Sequence, residues 1–167
     1  MPRTDTPEQW DERSTLTTML QYTRDTAAAK CEGLAADDAA ATPVASSPLM
    51  SIAGVVNHMR WVEHSWIEGT FLGGPDLGPW TDEEPDREFS LGAETPIQQV
   101  LTEYADVARR TDAIIAAHDL ETRAERPLNS GEKATLRWII VHLIEENARH
   151  NGHLDLLREM ADGTTGD

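Results

Sequence analysis

The amino-acid sequence predicts an all-α protein built as a four-helix bundle. Four segments repeat apolar residues every three or four positions, and no segment alternates apolar and polar residues as a half-buried strand does. Three of the segments follow a Ser-Pro or Thr-Pro pair, which is typical of helix starts. The helices are expected at about residues 7–32, 48–72, 96–118 and 133–162. A chain of 167 residues can bury one substantial core, so residues 1–167 are expected to form one domain.

The first two helices are defined by their caps and their apolar positions. Thr6-Pro7 with Gln9 is a capping signal for the first helix, which is expected to end near Gly33. Its inward face is predicted to contain Leu16, Leu20, Thr23, Ala27 and Cys31. Ser47-Pro48 begins the second helix, which is expected to end at about Leu72. Its inward face is predicted to contain Ile52, Val55, Met59, Val62 and Trp66.

The second half of the chain begins with a long connection from Gly73 to Glu94. It is rich in Gly, Pro and Asp and is interpreted as a functional loop, since it also contains two aromatic residues that would pack over something. Thr95-Pro96 begins the third helix, and the fourth is expected to end at Gly163. The pattern leaves open whether the bundle runs up-down-up-down or has one crossover connection.

The charge of the chain excludes several classes of partner. Lys and Arg total 14 against 30 Asp and Glu, and the formal net charge of -16 would repel nucleic acid and anionic membranes. No run approaches the ~18 apolar residues of a membrane span. The single cysteine, Cys31, cannot form an internal disulfide, and the N-terminal residues lack an apolar signal region. We therefore expect a reduced, cytoplasmic protein.

The last helix has polar residues where a core needs apolar ones. Its apolar stripe passes through Ile139, Leu143, Leu154 and Leu157. Glu146 and His150 occupy the two positions between the inner pair of leucines. Burying an ionised carboxylate is costly unless it is paired or bound to a metal. Because residues four apart lie one turn apart on the same face, Glu146 and His150 can reach one ion, and the pattern predicts a metal site.

A third ligand is expected from another helix, because two ligands hold a metal weakly. His58 is the candidate, since it lies three residues after Val55 and four before Val62, beside the apolar face of the second helix. His64 is rotated from His58 by roughly 240° at the ~100° per residue of an α-helix. If His58 faces the core, His64 does not.

Other interpretations of these residues stay open. His142 and His153 share the helix face of Glu146 and His150 and are alternative ligands. A single histidine on an apolar face is also typical of a hydrogen-bonded core residue, which is the alternative for His58. A carboxylate and an imidazole four residues apart are common on helix surfaces.

Five further residues are weaker candidates for a role in the site. Glu145 and Asp155 are candidate catalytic bases, and Trp61, Trp66 and Arg149 are candidates for binding a cofactor or an anionic substrate. The tryptophans also suit plain packing. A surface ion pair would equally account for Arg149 and Glu145. Cys31 has only Lys30 as a basic neighbour, which favours plain burial over a nucleophilic role.

Five short segments carry a resemblance to a known family. They are Asp11-Glu-Arg-Ser-Thr-Leu16, Lys30-Cys-Glu-Gly-Leu34, Val56-Asn-His-Met59, Thr135-Leu-Arg-Trp138 and Glu145-Glu-Asn-Ala-Arg-His-Asn-Gly-His153. With these segments the chain resembles the DinB-like superfamily of metal-binding four-helix bundles. In that superfamily a histidine of the second helix and two residues four apart on the last helix bind a divalent metal. The matching positions here are His58, Glu146 and His150.

The superfamily includes mycothiol-dependent S-transferases and maleylpyruvate isomerases. Many relatives have histidine at the first of the two last-helix positions, whereas the isomerase branch has glutamate, as Glu146 is here. The isomerases carry a further C-terminal domain that supplies an active-site arginine, whereas this sequence ends just after its expected fourth helix. The resemblance therefore favours thiol transfer over isomerisation.

The resemblance implies a divalent metal ion and a low-molecular-weight thiol such as mycothiol. Zinc or nickel is expected, and two histidines with one carboxylate also suit iron. An open metal position can stabilise a thiolate at neutral pH, and the thiol would then attack a small electrophile held near Trp61, Trp66 and the connection 73–94. A homodimer is also expected. The alternatives are a metal-dependent hydrolase and a non-catalytic metal-binding stress or scaffold protein.

Overall fold

A computed structural model describes residues 3–166; Met1, Pro2 and Asp167, which the expected domain of residues 1–167 includes, lie outside them. The described residues form six α-helices and one π-helical segment. In chain order they are α1 (Glu12–Ala29), α2 (Ala36–Ala40), α3 (Ile52–His64), the π-helical segment (Ser65–Phe71), α4 (Arg87–Glu94), α5 (Ile97–Ala117) and α6 (Leu136–Asp162). The described residues contain no strand, only one isolated bridge between Arg123 and Thr135. The predicted all-α class is confirmed.

The first helix begins five residues later than its proline signal indicates. Asp11 is the N-cap, and its carboxylate accepts hydrogen bonds from the backbone N–H and the hydroxyl of Ser14. The preceding Trp10 is 81% exposed, so a longer helix would bury little further apolar surface there. The predicted start at Thr6-Pro7 is therefore wrong. The helix also ends earlier, at Ala29, before the left-handed Gly33.

The second predicted helix is divided into two kinds of helix. Ser51, rather than Ser47, is the N-cap of α3, and its hydroxyl accepts a hydrogen bond from the N–H of Gly54. After His64 the chain continues as the π-helical segment up to Phe71, which matches the predicted end at about Leu72. Wider π-helical turns are rare and are frequently found at functional sites.

The segment predicted as one long loop contains helix α4, so that prediction is wrong for residues 87–94. Glycines allow α4 to cross α3 at close range. A Cβ atom on Gly92 would lie 2.6 Å from the carbonyl oxygen of Ala53, and one on Gly54 would lie 2.8 Å from that of Phe89. Because both positions lack a side chain, the two backbones can touch, and α4 is placed against the side of α3 that carries His58.

The apolar core consists of two clusters. One contains Val55, Met59 and Leu154, and the other contains Ile67, Ile139 and Leu143. Helix α6 packs against α1 and α3, and α3 also packs against α5. None of the helices in residues 3–166 combines the length and the apolar character that crossing a membrane requires.

Along α6 the two clusters are separated by a polar layer. The buried residues between Leu143 and Leu154 are Asn147, His150 and Asn151. The sequence pattern placed Glu146 in this layer, but Glu146 is only half-buried and Asn147 takes the more interior position. Residues at i+3 and i+4 share nearly one helix face, so periodicity alone does not separate them.

Candidate metal centre

Three side chains of two helices meet beside the polar layer. His58 of α3 and Glu146 and His150 of α6 each have a potential ligand atom, and these atoms all lie within 4.8 Å of one another. The Nε2 atom of His150 lies 3.6 Å from Oε2 of Glu146. Two atoms that bind one tetrahedral zinc at ~2.1 Å are about 3.4 Å apart, so this pair needs little movement to share an ion. The geometry brings together the three residues that the sequence singles out.

The orientation of His58 is fixed by two residues of α4. The Nδ1 atom of His58 lies 3.1 Å from Oε1 of Glu88, and the imidazole stacks on the ring of Phe89 with 4.5 Å between centroids. An ionised carboxylate only accepts, so in this contact Nδ1–H of His58 donates the hydrogen bond and the Nε2 lone pair is left for a metal. A carboxylate behind a histidine in this way orients metal-binding imidazoles.

Glu88 is a site residue that the sequence analysis missed. It is buried, and its second carboxylate oxygen, Oε2, has no hydrogen-bond partner among the described residues. The Asn57 side chain donates to the backbone carbonyl of Glu88 at 2.6 Å, which fixes the start of α4. Glu88 lies 30 residues from His58 in the sequence, and only the crossing of α3 and α4 brings the two together.

His150 is held in its neutral form by its surroundings. Burial, which has the largest effect, and the neighbouring His58, His153 and Arg149 together lower the pKa of His150 to about 4. Its Nδ1 atom lies 3.3 Å from Nδ1 of His153, while Nε2 is on the side of Glu146. A neutral imidazole can bind a metal without first losing a proton.

His142, which was an alternative ligand, belongs mainly to an aromatic cluster. Its ring stacks on Trp138 at 5.1 Å and meets the edge of Trp66 at 4.6 Å. His142, Glu145 and Glu146 form a second group with metal-ligand side chains, but all three come from α6 alone and share Glu146 with the first group. The group with His58 is the one that joins two helices. The other alternative ligand, His153, contacts His150 and lines a cavity described below.

His64 lies apart from these residues. Its Nδ1 atom is 3.1 Å from a carboxylate oxygen of Glu68, and its ring meets that of Trp61 at 5.5 Å. His64 is nevertheless buried. The expectation that it does not face the core when His58 does is therefore wrong. The π-helical segment that follows His64 brings Glu68 beside it.

The weaker candidates are engaged in other contacts. The Glu145 carboxylate accepts a hydrogen bond from Arg149, and Asp155 pairs with the Nζ atom of Lys30 at 2.5 Å. Trp61 packs under the guanidinium of Arg60 at 4.4 Å. None of the five is a member of the ligand group formed by His58, Glu146 and His150, but Arg149 contacts it, with 3.5 Å between its Nη1 atom and Oε1 of Glu146.

The single cysteine has no catalytic environment. Cys31 is fully buried, and its thiol donates to the backbone carbonyl of Ala27 at 3.3 Å. Burial raises the pKa of the Cys31 thiol to about 12. A thiol of this kind stays protonated at neutral pH and is a poor nucleophile. The expected plain burial is found.

A buried ion pair and two buried asparagines connect the helices that carry the candidate ligands. The guanidinium of Arg24 donates to both carboxylate oxygens of Glu63 at 2.6 and 3.0 Å, and to Asp112 at 2.8 Å. On α6, the Asn147 and Asn151 side chains donate to the hydroxyl and the carbonyl oxygen of Thr23, at 3.2 and 2.9 Å. These contacts fix α1, α3 and α6 relative to one another at the level of the candidate ligands.

The fold is all-helical, and two imidazoles and a carboxylate from two helices converge at one place. These features place the protein in the class of helical proteins with a candidate site for a single metal ion. The comparison with protein families is specific. The family model described as mycothiol-S-transferase matches residues 15–163, and the chain belongs to this family. The resemblance to DinB-like proteins is thereby confirmed. No curated protein matches the sequence.

Proposed function

We propose that the protein is a metal-dependent S-transferase, which joins mycothiol or a similar low-molecular-weight thiol to a small electrophile. The observation that carries the proposal is the convergence of His58, Glu146 and His150 in a member of the mycothiol-S-transferase family. The four long helices, α1, α3, α5 and α6, would form a DinB-like bundle within one domain of residues 1–167. Their mutual packing supports this arrangement.

The three residues fit a divalent ion. Their ligand atoms lie close together, His58 is oriented by Glu88, and His150 is neutral. Three protein ligands leave a position open for a small molecule, which distinguishes a catalytic zinc site from a closed structural one. Zinc is the ion that we propose, with nickel and iron as outcomes of a metal analysis. A divalent ion in this place would stabilise the thiolate form of a bound thiol at neutral pH.

In this proposal the protein positions the two reactants and does not provide the nucleophile. Cys31 is buried and protonated, so the reacting sulfur comes from a separate thiol. In the transfer, a sulfur–carbon bond forms as the bond from that carbon to its leaving group breaks. The leaving group departs with the bonding electron pair, and the thiol proton passes to solvent. His58, Glu146 and His150 would hold the ion that binds the thiol sulfur. Side chains beside this group would hold the electrophile in position for attack.

The candidate bases do not favour hydrolysis. Glu145 and Asp155 are both exposed and ion-paired, with Arg149 and Lys30 respectively. A general base needs to reach a proton of the attacking water beside the metal. Neither residue belongs to the group with His58.

The location and assembly of the protein are part of the proposal. A reduced cytoplasm would supply the thiol. Trp138 and Val141 are about half exposed on α6, at 45% and 49%, and support a homodimer. Sedimentation of the wild-type protein tests the dimer directly.

Metal content and turnover together test the proposed function. Wild type is expected to contain about one divalent ion per chain, and His58→Ala, Glu146→Ala and His150→Ala are expected to lose it along with S-conjugation of mycothiol to an alkyl chloride. His118→Ala is the matched control, since His118 packs on Phe71 and belongs to neither group of metal-ligand side chains. Full metal content in the His150 variant would contradict the ligand set and favour His142 and His153. Normal metal content without turnover on any thiol would favour the scaffold interpretation.

A further inference from the structure

An apolar cavity of about 430 Å³ opens beside the candidate metal centre. Its walls come from the segment before α3, from α3, from α4 and from α6. The apolar lining residues are Pro48, Leu49, Met50, Val55 and Phe89. A cavity of this size matches ordinary small-molecule sites, which are mostly apolar with a few polar groups.

Two walls of the cavity also belong to the candidate centre. His150 lines the cavity while its Nε2 atom lies on the side of Glu146. Phe89 lines it while its ring stacks on His58. A molecule in the cavity would therefore touch one candidate ligand directly and be separated from another by a single aromatic ring.

The lining indicates the chemistry of the occupant. No Lys or Arg is present among the described residues that line the cavity, and Asp86 at its wall would repel an anion. The polar lining residues are Ser47, Asp86, His150 and His153. A polyhydroxylated thiol such as mycothiol has more hydroxyl groups than these side chains can pair, and burying the remaining ones against the apolar lining is costly. An uncharged apolar group instead gains free energy here, because its surface is removed from water.

We propose that this cavity binds the apolar group of an uncharged hydrophobic electrophile, such as an arylmethyl halide, and so sets the acceptor specificity of the enzyme. The proposal rests on the proposed transferase function. With an arylmethyl chloride, the sulfur–carbon bond forms as the carbon–chlorine bond breaks, chloride leaves with the electron pair, and the thiol proton passes to solvent. Leu49 and Met50 are the specificity-determining residues, because they lie in the segment before α3 that closes one wall.

Binding is measured first, with benzyl alcohol as an unreactive probe and the zinc-loaded protein. Nuclear magnetic resonance is expected to show shifts at Val55, Phe89 and His150. Leu49→Gln/Met50→Gln is expected to weaken binding about tenfold, since a hydrophobic pocket distinguishes ligands by about 10- to 200-fold per methylene-sized change. Leu72→Gln is the matched control, because Leu72 has nearly the same exposure as Leu49, 44% against 41%, and does not line the cavity.

Turnover is measured second, with mycothiol and two chlorides that share the reacting carbon–chlorine bond. The ratio of kcat/KM for benzyl chloride over 2-chloroacetamide, corrected for the uncatalysed rates, is expected to fall about tenfold in Leu49→Gln/Met50→Gln and to stay unchanged in Leu72→Gln. An unchanged ratio in the double variant, or benzyl alcohol shifts elsewhere on the protein, would overturn the cavity proposal. Benzyl alcohol binding in the cavity without turnover of either chloride would instead overturn the transferase function and the acceptor role with it.

Discussion

The carboxylate of Glu88 lies 3.1 Å from Nδ1 of His58 and joins a short helix to a candidate metal ligand. If the contact orients the imidazole, removing it lowers the affinity for the metal. Glu88→Ala is expected to weaken zinc binding about 10- to 100-fold, as measured by competition with a chelator.

Glu94→Ala is the control for this change. Glu94 lies on the same helix, α4, but is exposed and pairs with Arg87 at 2.9 Å. Its removal is expected to leave zinc affinity unchanged. Equal losses in the two variants would mean that α4 acts on the site only through its own stability.

The buried pair of Arg24 and Glu63 gives a prediction for stability. Glu63→Ala leaves the guanidinium buried without its main partner, and the free energy of unfolding is expected to fall by about 3–5 kcal/mol in urea denaturation. Arg24→Met/Glu63→Leu removes both charges and is expected to be less destabilised than Glu63→Ala. As a control, Arg109→Ala breaks an exposed pair with Asp106 and is expected to cost about 0–1 kcal/mol. A double variant as unstable as the single one would show that the loss comes from packing.

Gly92 is expected to be intolerant of a side chain. In Gly92→Ala the new Cβ atom meets the carbonyl oxygen of Ala53 at 2.6 Å and Cα of Gly54 at 2.8 Å, so α4 must move away from α3. A loss of about 1–3 kcal/mol is expected in urea denaturation, together with weaker zinc binding, because Glu88 moves with the helix.

Gly152→Ala is the matched helical control. A Cβ atom there meets nothing within 4 Å, and alanine is preferred to glycine inside a helix, so a gain of about 0.5–1 kcal/mol is expected. If both alanine variants lost stability equally, close packing of α4 would not be the cause.

The lowered pKa of His150 predicts a pH dependence of the metal-free protein. In the unfolded chain this imidazole takes up a proton near its usual value of 6.5, whereas in the fold it does so at about 4. Between these values the unfolded state binds more protons, so the free energy of unfolding is expected to fall as the pH falls from about 6.5 to about 4. Nuclear magnetic resonance titration of the histidine ring gives the pKa, and denaturation at several pH values gives the slope. The slope is expected to be shallower in His150→Leu; a titration of His150 near its usual value would contradict the prediction.

Cys31 is expected to be chemically silent in the folded protein. Its burial and raised pKa predict slow alkylation by iodoacetamide in buffer and fast alkylation in urea, measured by mass spectrometry. Cys31→Ala is expected to keep S-transfer activity, because the reacting sulfur belongs to the external thiol. Loss of kcat in a folded Cys31→Ala variant would contradict the external role of the sulfur.

The long helices could be predicted from sequence because their signals are local. Ile97, Val100 and Tyr104 repeat at helical spacing within α5, and all three are buried. The predicted third helix at 96–118 differs from α5 by one residue at each end. The start of the first helix was predicted wrongly because the threonine-proline signal is followed by residues 8–11, which are all exposed and have little to pack against.

The residues that the sequence analysis missed depend on contacts across the fold. Helix α4 has only eight residues, too few for a stable isolated helix, and it is held by its crossing with α3 at Gly54 and Gly92. Glu88 therefore carries no local signal of its role beside His58. Asn147 and Asn151 likewise gain their buried positions from Thr23 on α1. The proximity of His58, Glu146 and His150 could be predicted, while their binding of a metal stays a prediction.

Asn147 and Asn151 fix the register of α6 against α1. Both side chains bond to Thr23, one to its hydroxyl and one to its backbone carbonyl. Sliding α6 by one turn, about 5.4 Å, would break both bonds and leave two amides buried without partners. Glu146 and His150 each directly precede one of these asparagines. The same two hydrogen bonds therefore fix the position of both residues along the α6 axis relative to His58. The alignment of the candidate ligands thus depends on a threonine whose side-chain hydrogen bonds go to none of them.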